Sequence, residues 1–155
     1  MSDLHIAIIS TTDDDWASAR AVREVVFVEE QDCPPDEEWD GYDESCRHLI
    51  GRVGDDVVAT ARWRAVEHQG RTMAKLERFA VLDAHRGRGY GRELVQAALD
   101  DAREAGHNAF LLHAQAHLED FYASFGFSST GRRFTEVGIS HVEMIMEVET
   151  DPSAT

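Results

Sequence analysis

A chain of 155 residues is the size of one domain with one core, and 43% hydrophobic residues suffice to pack an interior. No apolar run approaches the ~20 residues of a membrane-spanning helix, and "MSDLHIAIIS" has no basic region ahead of an apolar stretch, so no signal peptide is visible and the cytoplasm is expected. Thirty acidic residues against 15 lysines and arginines leave a formal net charge of −15. That argues against nucleic-acid binding through a broad basic surface, because phosphate neutralisation supplies most of such affinity.

In chain order, "LHIAIIS" reads as a first strand. "DDDWASARAVREVVFVEEQ" places Trp16, Ala19, Val22, Val26 and Phe27 at helical spacing behind Asp13 to Asp15, which suit a helix N-terminus. "DCPPDEEWDGYDES" breaks the periodicity and reads as a loop. "RHLIGRVGDDVVATARWRAV" is two strands about a Gly-Asp-Asp turn, and "RTMAKLERFAVL" is another strand. From Gly89 to Ala105, Leu94, Val95, Ala98, Leu99 and Ala102 mark one helical face, and Gly106 ends it. "NAFLLHA" is a short buried strand, "AHLEDFYASFG" a short helix, and "SHVEMIMEVE" the last of a final pair of strands. The order β-α-β-β-β-α-β-α-β-β calls for a mixed α/β sheet with crossover helices.

"RGRGYGRELVQAAL" concentrates three arginines and three glycines ahead of a helix in a strongly acidic chain. A helix N-terminus presents unsatisfied N–H groups and the positive end of a dipole, so it binds phosphate well. Gly87, Gly89 and Gly91 let the backbone approach an anion, while Arg86, Arg88 and Arg92 add charge-assisted bonds. A Walker loop is excluded, because no Gly-Lys pair occurs. The dinucleotide fingerprint started at Gly87 fails, because Arg92 stands where its third glycine belongs.

Arg86, Gly89 and Gly91 satisfy R-x-x-G-x-G, and here the chain resembles the GNAT superfamily of N-acetyltransferases, whose signature is [Q/R]-x-x-G-x-[G/A] after the fourth strand. "HAQAHLEDFYASFGF" is similar to the family's second acetyl-CoA segment, F-Y-x-x-x-G-F after a short strand. "VREVVFVEEQDCPPDEEWDGYD" and "EVGISHVEM" resemble the ElaA-like branch, with V-F-V-x-E-Q near the start and G-I-x-H-x-x-M near the end. The likeness runs from about Arg20 to Met146.

The resemblance implies the GNAT acyl-CoA N-acyltransferase fold: about seven mostly antiparallel strands, about four helices, and splayed fourth and fifth strands. It implies one domain over residues 1–150 and a disordered tail over 151–155. Acetyl-CoA is the implied cosubstrate, its pantetheine pairing with the backbone of Phe79, Ala80 and Val81. Its pyrophosphate lies on Arg86, Gly87, Arg88, Gly89, Tyr90 and Gly91 with help from Arg92, and Gln115 lines the cofactor or substrate side. The amine attacks the thioester directly. Tyr122 is the implied general acid, since a phenol of pKa ~10 is protonated at neutral pH. The Ala80 N–H is the implied oxyanion donor. His141 matches the branch motif as base; Glu77, His113 and His117 are the other candidates. Glu29, Glu30, Asp40 and Asp43 are placed to attract a cationic small-molecule or peptide amine. Many relatives pair as dimers, so a homodimer is the assembly to test. Three rivals stay open: an acyl-CoA sensor without turnover, an enzyme that uses a longer acyl group, which pocket volume near Phe79 and Phe110 would decide, and an interaction module whose arginine turn binds another anion.

Other constellations are weaker. Asp36, Glu38, Asp40 and Gly41 begin like a calcium loop, but Arg47 stands where its closing glutamate belongs. His113 and His117 are spaced like a zinc pair, with Ala114 in place of the glutamate, so no metal is expected. Cys33 and Cys46 form no C-x-x-C pair and read as free thiols. Dispersed acid with Lys75 as the sole lysine resembles the proteins of salt-loving archaea and implies a fold that loosens when salt is removed.

Overall fold

The computed structural model describes residues 3–148; the tail assigned to 151–155 lies outside them. Seven strands form one sheet in the order β1-β2-β3-β4-β5-β7-β6. They are β1 (Leu4–Ile9), β2 (Arg47–Val53), β3 (Asp56–His68), β4 (Arg71–Val81), β5 (Ala109–Gln115), β6 (Ser128–Glu136) and β7 (Ile139–Glu147). The helices are α1 (Trp16–Arg23), α2 (Pro35–Glu38), α3 (Tyr90–Glu104) and α4 (Glu119–Ala123). β1–β2, β2–β3, β5–β7 and β6–β7 pair antiparallel, whereas β4 and β5 pair in parallel, Ala74 opposite Phe110 and Lys75 opposite Leu111. A parallel neighbour needs a crossover, and α3 supplies it. This is the mixed α/β architecture that the order of the predicted elements implies.

The chain clusters into two compact units, the described parts of Met1–Arg64 with Glu77–Ala98 and of Ala65–Leu76 with Leu99–Thr155. In the first, Ala19, Val22 and Val26 point inward from one helical face, as their spacing predicts. Ala19 packs with Ile9 and Ile50, and Val22 and Val26 pack with Ala80 of β4. Two local features differ from the sequence reading. After Arg23 the helix widens into a π-helical stretch over Glu24–Glu30, and the segment read as plain loop contains α2, begun by Pro35 at a position where its missing N–H costs nothing.

In the second unit, Met73, Ala109 and Leu111 form a core joined by Val66 and Ile145. β3 and β4 are linked by Gln69-Gly70, both with positive φ (52° and 77°), as primed two-residue hairpin turns require. β6 and β7 are linked through Val137 and Gly138, again both with positive φ.

Candidate active site

The glycine-rich turn belongs to the first unit. A short 3-10 turn over Asp83–His85 follows β4, and Gly87 and Gly89 then take φ of +80°, a conformation side chains rarely adopt. The first bond of α3 runs from the Glu93 N–H to the Gly89 carbonyl, so the amides of Tyr90 and Gly91 have no partner within the helix. Tyr90 buries its ring and contributes only backbone here. Gly91 differs from the other two glycines in its backbone, since its φ is not left-handed, while a Cβ there, as at Gly87 and Gly89, would meet no protein atom within 4 Å. Neither backbone conformation nor crowding demands glycine at that point, while glycine in a helix costs about 0.5–1 kcal/mol relative to alanine. Open space over bare amides is what an approaching diphosphate uses.

The three arginines of the turn do not share one role. Arg88 and Arg92 are exposed. Arg86 instead donates from Nε to the Val81 carbonyl at 2.8 Å and pairs with Glu30 at 2.6 Å and Asp83 at 3.4 Å. It fastens the end of β4 to the π-helical stretch, joining the arginine of one predicted motif to the glutamate of another.

Phe79 and Val81 are half-buried and Ala80 is buried against Val22 and Val26. Immediately before them Arg78 has φ of +60°, unusual for a side-chain-bearing residue inside a strand. Its side chain is anchored outside the sheet, with Nε 3.0 Å from Glu38 Oε2 and Nη2 donating to the Glu37 carbonyl at 3.2 Å.

The sequence reading missed the charge cluster that organises this unit. Arg23, Arg62 and Glu38 are almost fully buried. Arg23 donates to Glu38 Oε1 and to Asp43 Oδ1, both at 2.7 Å. Arg62 donates to Asp43 at 2.8 Å, to both oxygens of Asp40 at 3.1 and 2.6 Å, and to Glu77 Oε2 at 3.1 Å. Burial works against charge at Asp40 and Asp43, yet the guanidiniums win and hold both below the usual carboxylate range, Asp40 at about 2. The expectation that Glu30, Asp40 and Asp43 attract a cationic acceptor is therefore corrected: all three are engaged by arginines. The available signal was a pair of arginines two apart in the apolar strand "VVATARWRAV", which puts both on one face.

Glu77 lies in the same cluster. It is 9% exposed, with Oε1 accepting from Arg64 Nε at 2.5 Å and Oε2 from Arg62. Serving as a base would require it to give up two ion pairs.

The second unit holds the remaining predicted residues. Tyr122, on α4, is 8% exposed and meets the rings of Phe121 and Phe127 edge to face. Burial pushes its hydroxyl up to about 12. Gln115 of β5 stands opposite His141 of β7 in the antiparallel ladder. His141 Nδ1 lies 2.8 Å from the Ile139 carbonyl. A carbonyl only accepts, so Nδ1 carries the proton and, in neutral imidazole, the basic lone pair is on Nε2. The ring stacks on Phe134 at 5.6 Å.

His113 is placed differently: its Nε2 is 3.1 Å from Glu143, which also accepts from Arg132 at 2.9 Å and Thr130 at 3.1 Å and contacts His68 at 3.3 Å. Burial opposes charge on Glu143, but these donors hold it at about 2. Burial pushes His113 down. His117 is exposed. Cys33 and Cys46 are separate thiols, and burial raises Cys46 to about 11. Among the described residues no group of three or more His, Cys, Asp and Glu is disposed to hold a metal ion, and no helix is long and apolar enough to cross a membrane.

A parallel β4–β5 pair inside a mostly antiparallel sheet, with a glycine-rich turn leading into the crossover helix, defines the mixed-sheet fold class. The model of the acetyltransferase (GNAT) domain matches residues 36–148, and the chain belongs to that family. The uncharacterized N-acetyltransferase YjcF of Bacillus subtilis is 33% identical over 91% of this chain and 99% of its own. The crystal structure of an acyl-CoA N-acyltransferase from Pseudomonas aeruginosa superposes with a TM-score of 0.82 at 29% identity, covering 92% of this chain and 99% of that one. Escherichia coli ElaA superposes with a TM-score of 0.80 at 30% identity, covering 93% and 99%.

Proposed function

We propose that this acyltransferase moves an acetyl group from acetyl-CoA to a small-molecule or peptide amine by direct attack, with no covalent enzyme intermediate. The observation that carries the reading is the mouth of α3, where Tyr90 and Gly91 offer amides without helix partners and Gly91 leaves room above them. The backbone from Arg86 to Gly91 holds the diphosphate, with Arg88 and Arg92 adding charge, while Arg86 fixes the turn. The backbone of Phe79, Ala80 and Val81 pairs with the extended pantetheine arm, as an open strand edge pairs with a peptide.

In this reading the Ala80 N–H donates to the oxygen that becomes negative as the amine attacks. His141 Nε2 takes the proton from the acceptor's ammonium, directly or through water, to give the neutral amine that attacks, a role its tautomer supports. Tyr122 gives a proton to the departing thiolate, and its raised pKa keeps it protonated throughout the working range. Gln115, across the ladder from His141, lines the substrate side.

The same proposal reads residues 1–150 as one acetyltransferase domain in a cytoplasmic, salt-adapted protein that pairs as a homodimer. Support comes from the family match, which draws on both compact units, from the net charge of −15 and from the single lysine. The deciding experiment follows thiol release from acetyl-CoA upon addition of an amine panel. Amine-dependent release supports the reading; saturable CoA binding without release from any amine would leave a sensor.

A further inference from the structure

We propose that the acceptor is an amine that also carries a carboxylate, and that the outer edge of the Arg64 guanidinium binds this carboxylate. The inference rests on the acetyltransferase reading above and names the acceptor class for it. Four arginines (Arg23, Arg62, Arg64, Arg78) and four carboxylates (Glu38, Asp40, Asp43, Glu77) interlock in the first unit. Asp40 and Asp43, two of the acids expected to draw in a cation, are engaged there, and four arginines against four carboxylates leave the cluster no surplus negative charge.

What it does offer is a guanidinium that is held but not fully used. Arg64 Nε donates to Glu77 Oε1 at 2.5 Å, and its face stacks on the Tyr42 ring at 4.0 Å. One contact fixes the direction of the group and the other fixes its plane. Glu77 is shared with Arg62, so its charge is divided between two cations. Nη1 and Nη2 of Arg64 have no protein partner among the described residues, and 19% of the side chain is exposed. With Nε taken, the two terminal amino groups form the end-on fork that matches a carboxylate with two parallel hydrogen bonds. Tyr42, 47% exposed, completes a flat, accessible platform.

Position ties this fork to the chemistry. Glu77, which orients Arg64, precedes Ala80 by three residues on β4, at most about 10 Å of strand because Arg78, with its positive φ, interrupts the extended backbone between them. A ligand anchored at Arg64 would thus extend its amine along β4 toward the proposed oxyanion donor, and spacer length would decide which amines reach it.

The test compares ω-amino acids of increasing chain length with their carboxamides at saturating acetyl-CoA. At one preferred length kcat/KM for the acid should exceed that for the amide by about tenfold or more, the size of a charge-assisted hydrogen bond. Arg64→Gln should erase the difference while CoA affinity stays within about twofold. Equal rates for acid and amide in the unaltered protein, or a preference that survives in Arg64→Gln, overturn the proposal. A second arm titrates the N-acetylated acid and its amide onto the protein with and without CoA and needs no turnover. Failure of CoA to bind counts against the acetyltransferase reading alone. Equal binding of acid and amide counts against Arg64 alone.

Discussion

Glu30 and Arg86 meet at 2.6 Å, so the arginine of the phosphate-turn signature is already neutralised from the π-helical stretch. Both side chains are partly exposed, and such pairs contribute about 0–1 kcal/mol. Glu30→Gln should therefore leave the melting temperature almost unchanged and tighten CoA binding several-fold at low salt, because a negative charge beside the proposed diphosphate site is removed. Calorimetric titration with CoA in 0.05 and 0.5 M salt checks both the sign and its screening.

Gly91 gives a prediction in which stability and affinity move in opposite directions. Gly91→Ala should raise stability by about 0.5–1 kcal/mol through helix propensity, since its Cβ meets nothing, while weakening CoA. Gly91→Asp should stay folded, because acid suits a helix N-terminus, and should lose CoA binding. Thermal melts paired with titrations test this; unchanged affinity in both variants would remove the phosphate assignment.

Tyr122→Phe keeps the buried ring and removes the proton. kcat should fall by about 10²-fold, at the lower end of general acid catalysis, with the CoA dissociation constant nearly intact. An unaltered kcat would reduce Tyr122 to a packing role.

Two carboxylates make the fold acid-labile. Asp40 and Glu143 are each held at about 2, below their unfolded values near 4. A depressed pKa contributes stability that is fully present above the unfolded value and is lost as pH falls through the folded one. Melting temperature should begin to decline as pH falls below about 6.5, where the unfolded chain gains a proton that half-buried His113 resists, and should fall more steeply between about 4 and 2, where each carboxylate accounts for on the order of 2–3 kcal/mol. Glu143→Gln should flatten part of that slope.

Net charge makes a separate claim about salt. At about 1 M salt the screening length is ~3 Å, against ~10 Å at 0.1 M, so repulsion among 30 acidic residues is suppressed only in concentrated salt. The melting temperature should rise steadily from 0.05 to 2 M KCl. A flat response would reject salt adaptation.

Much of this molecule was legible from sequence because local rules governed it. The spacing of Ala19, Val22 and Val26 showed the buried face of α1 and the π-helical stretch after it, and Gly106 and Gly126, both with positive φ, mark where the two later helices stop. The glycine-rich turn was equally plain, since the role proposed for it depends on backbone amides within six residues. Tertiary structure alone decided which charges meet. Arg62 lies 15 residues from Glu77 and 22 from Asp40, and Arg86 lies 56 from Glu30. No periodicity encodes such pairings, because a Coulomb interaction depends on separation in space and on burial, and both are set only once the strands have registered. For the same reason four acids that looked alike in the sequence divide into three bound by arginine and one, Glu29, left exposed, while the proton on His141 is placed by a carbonyl two residues away.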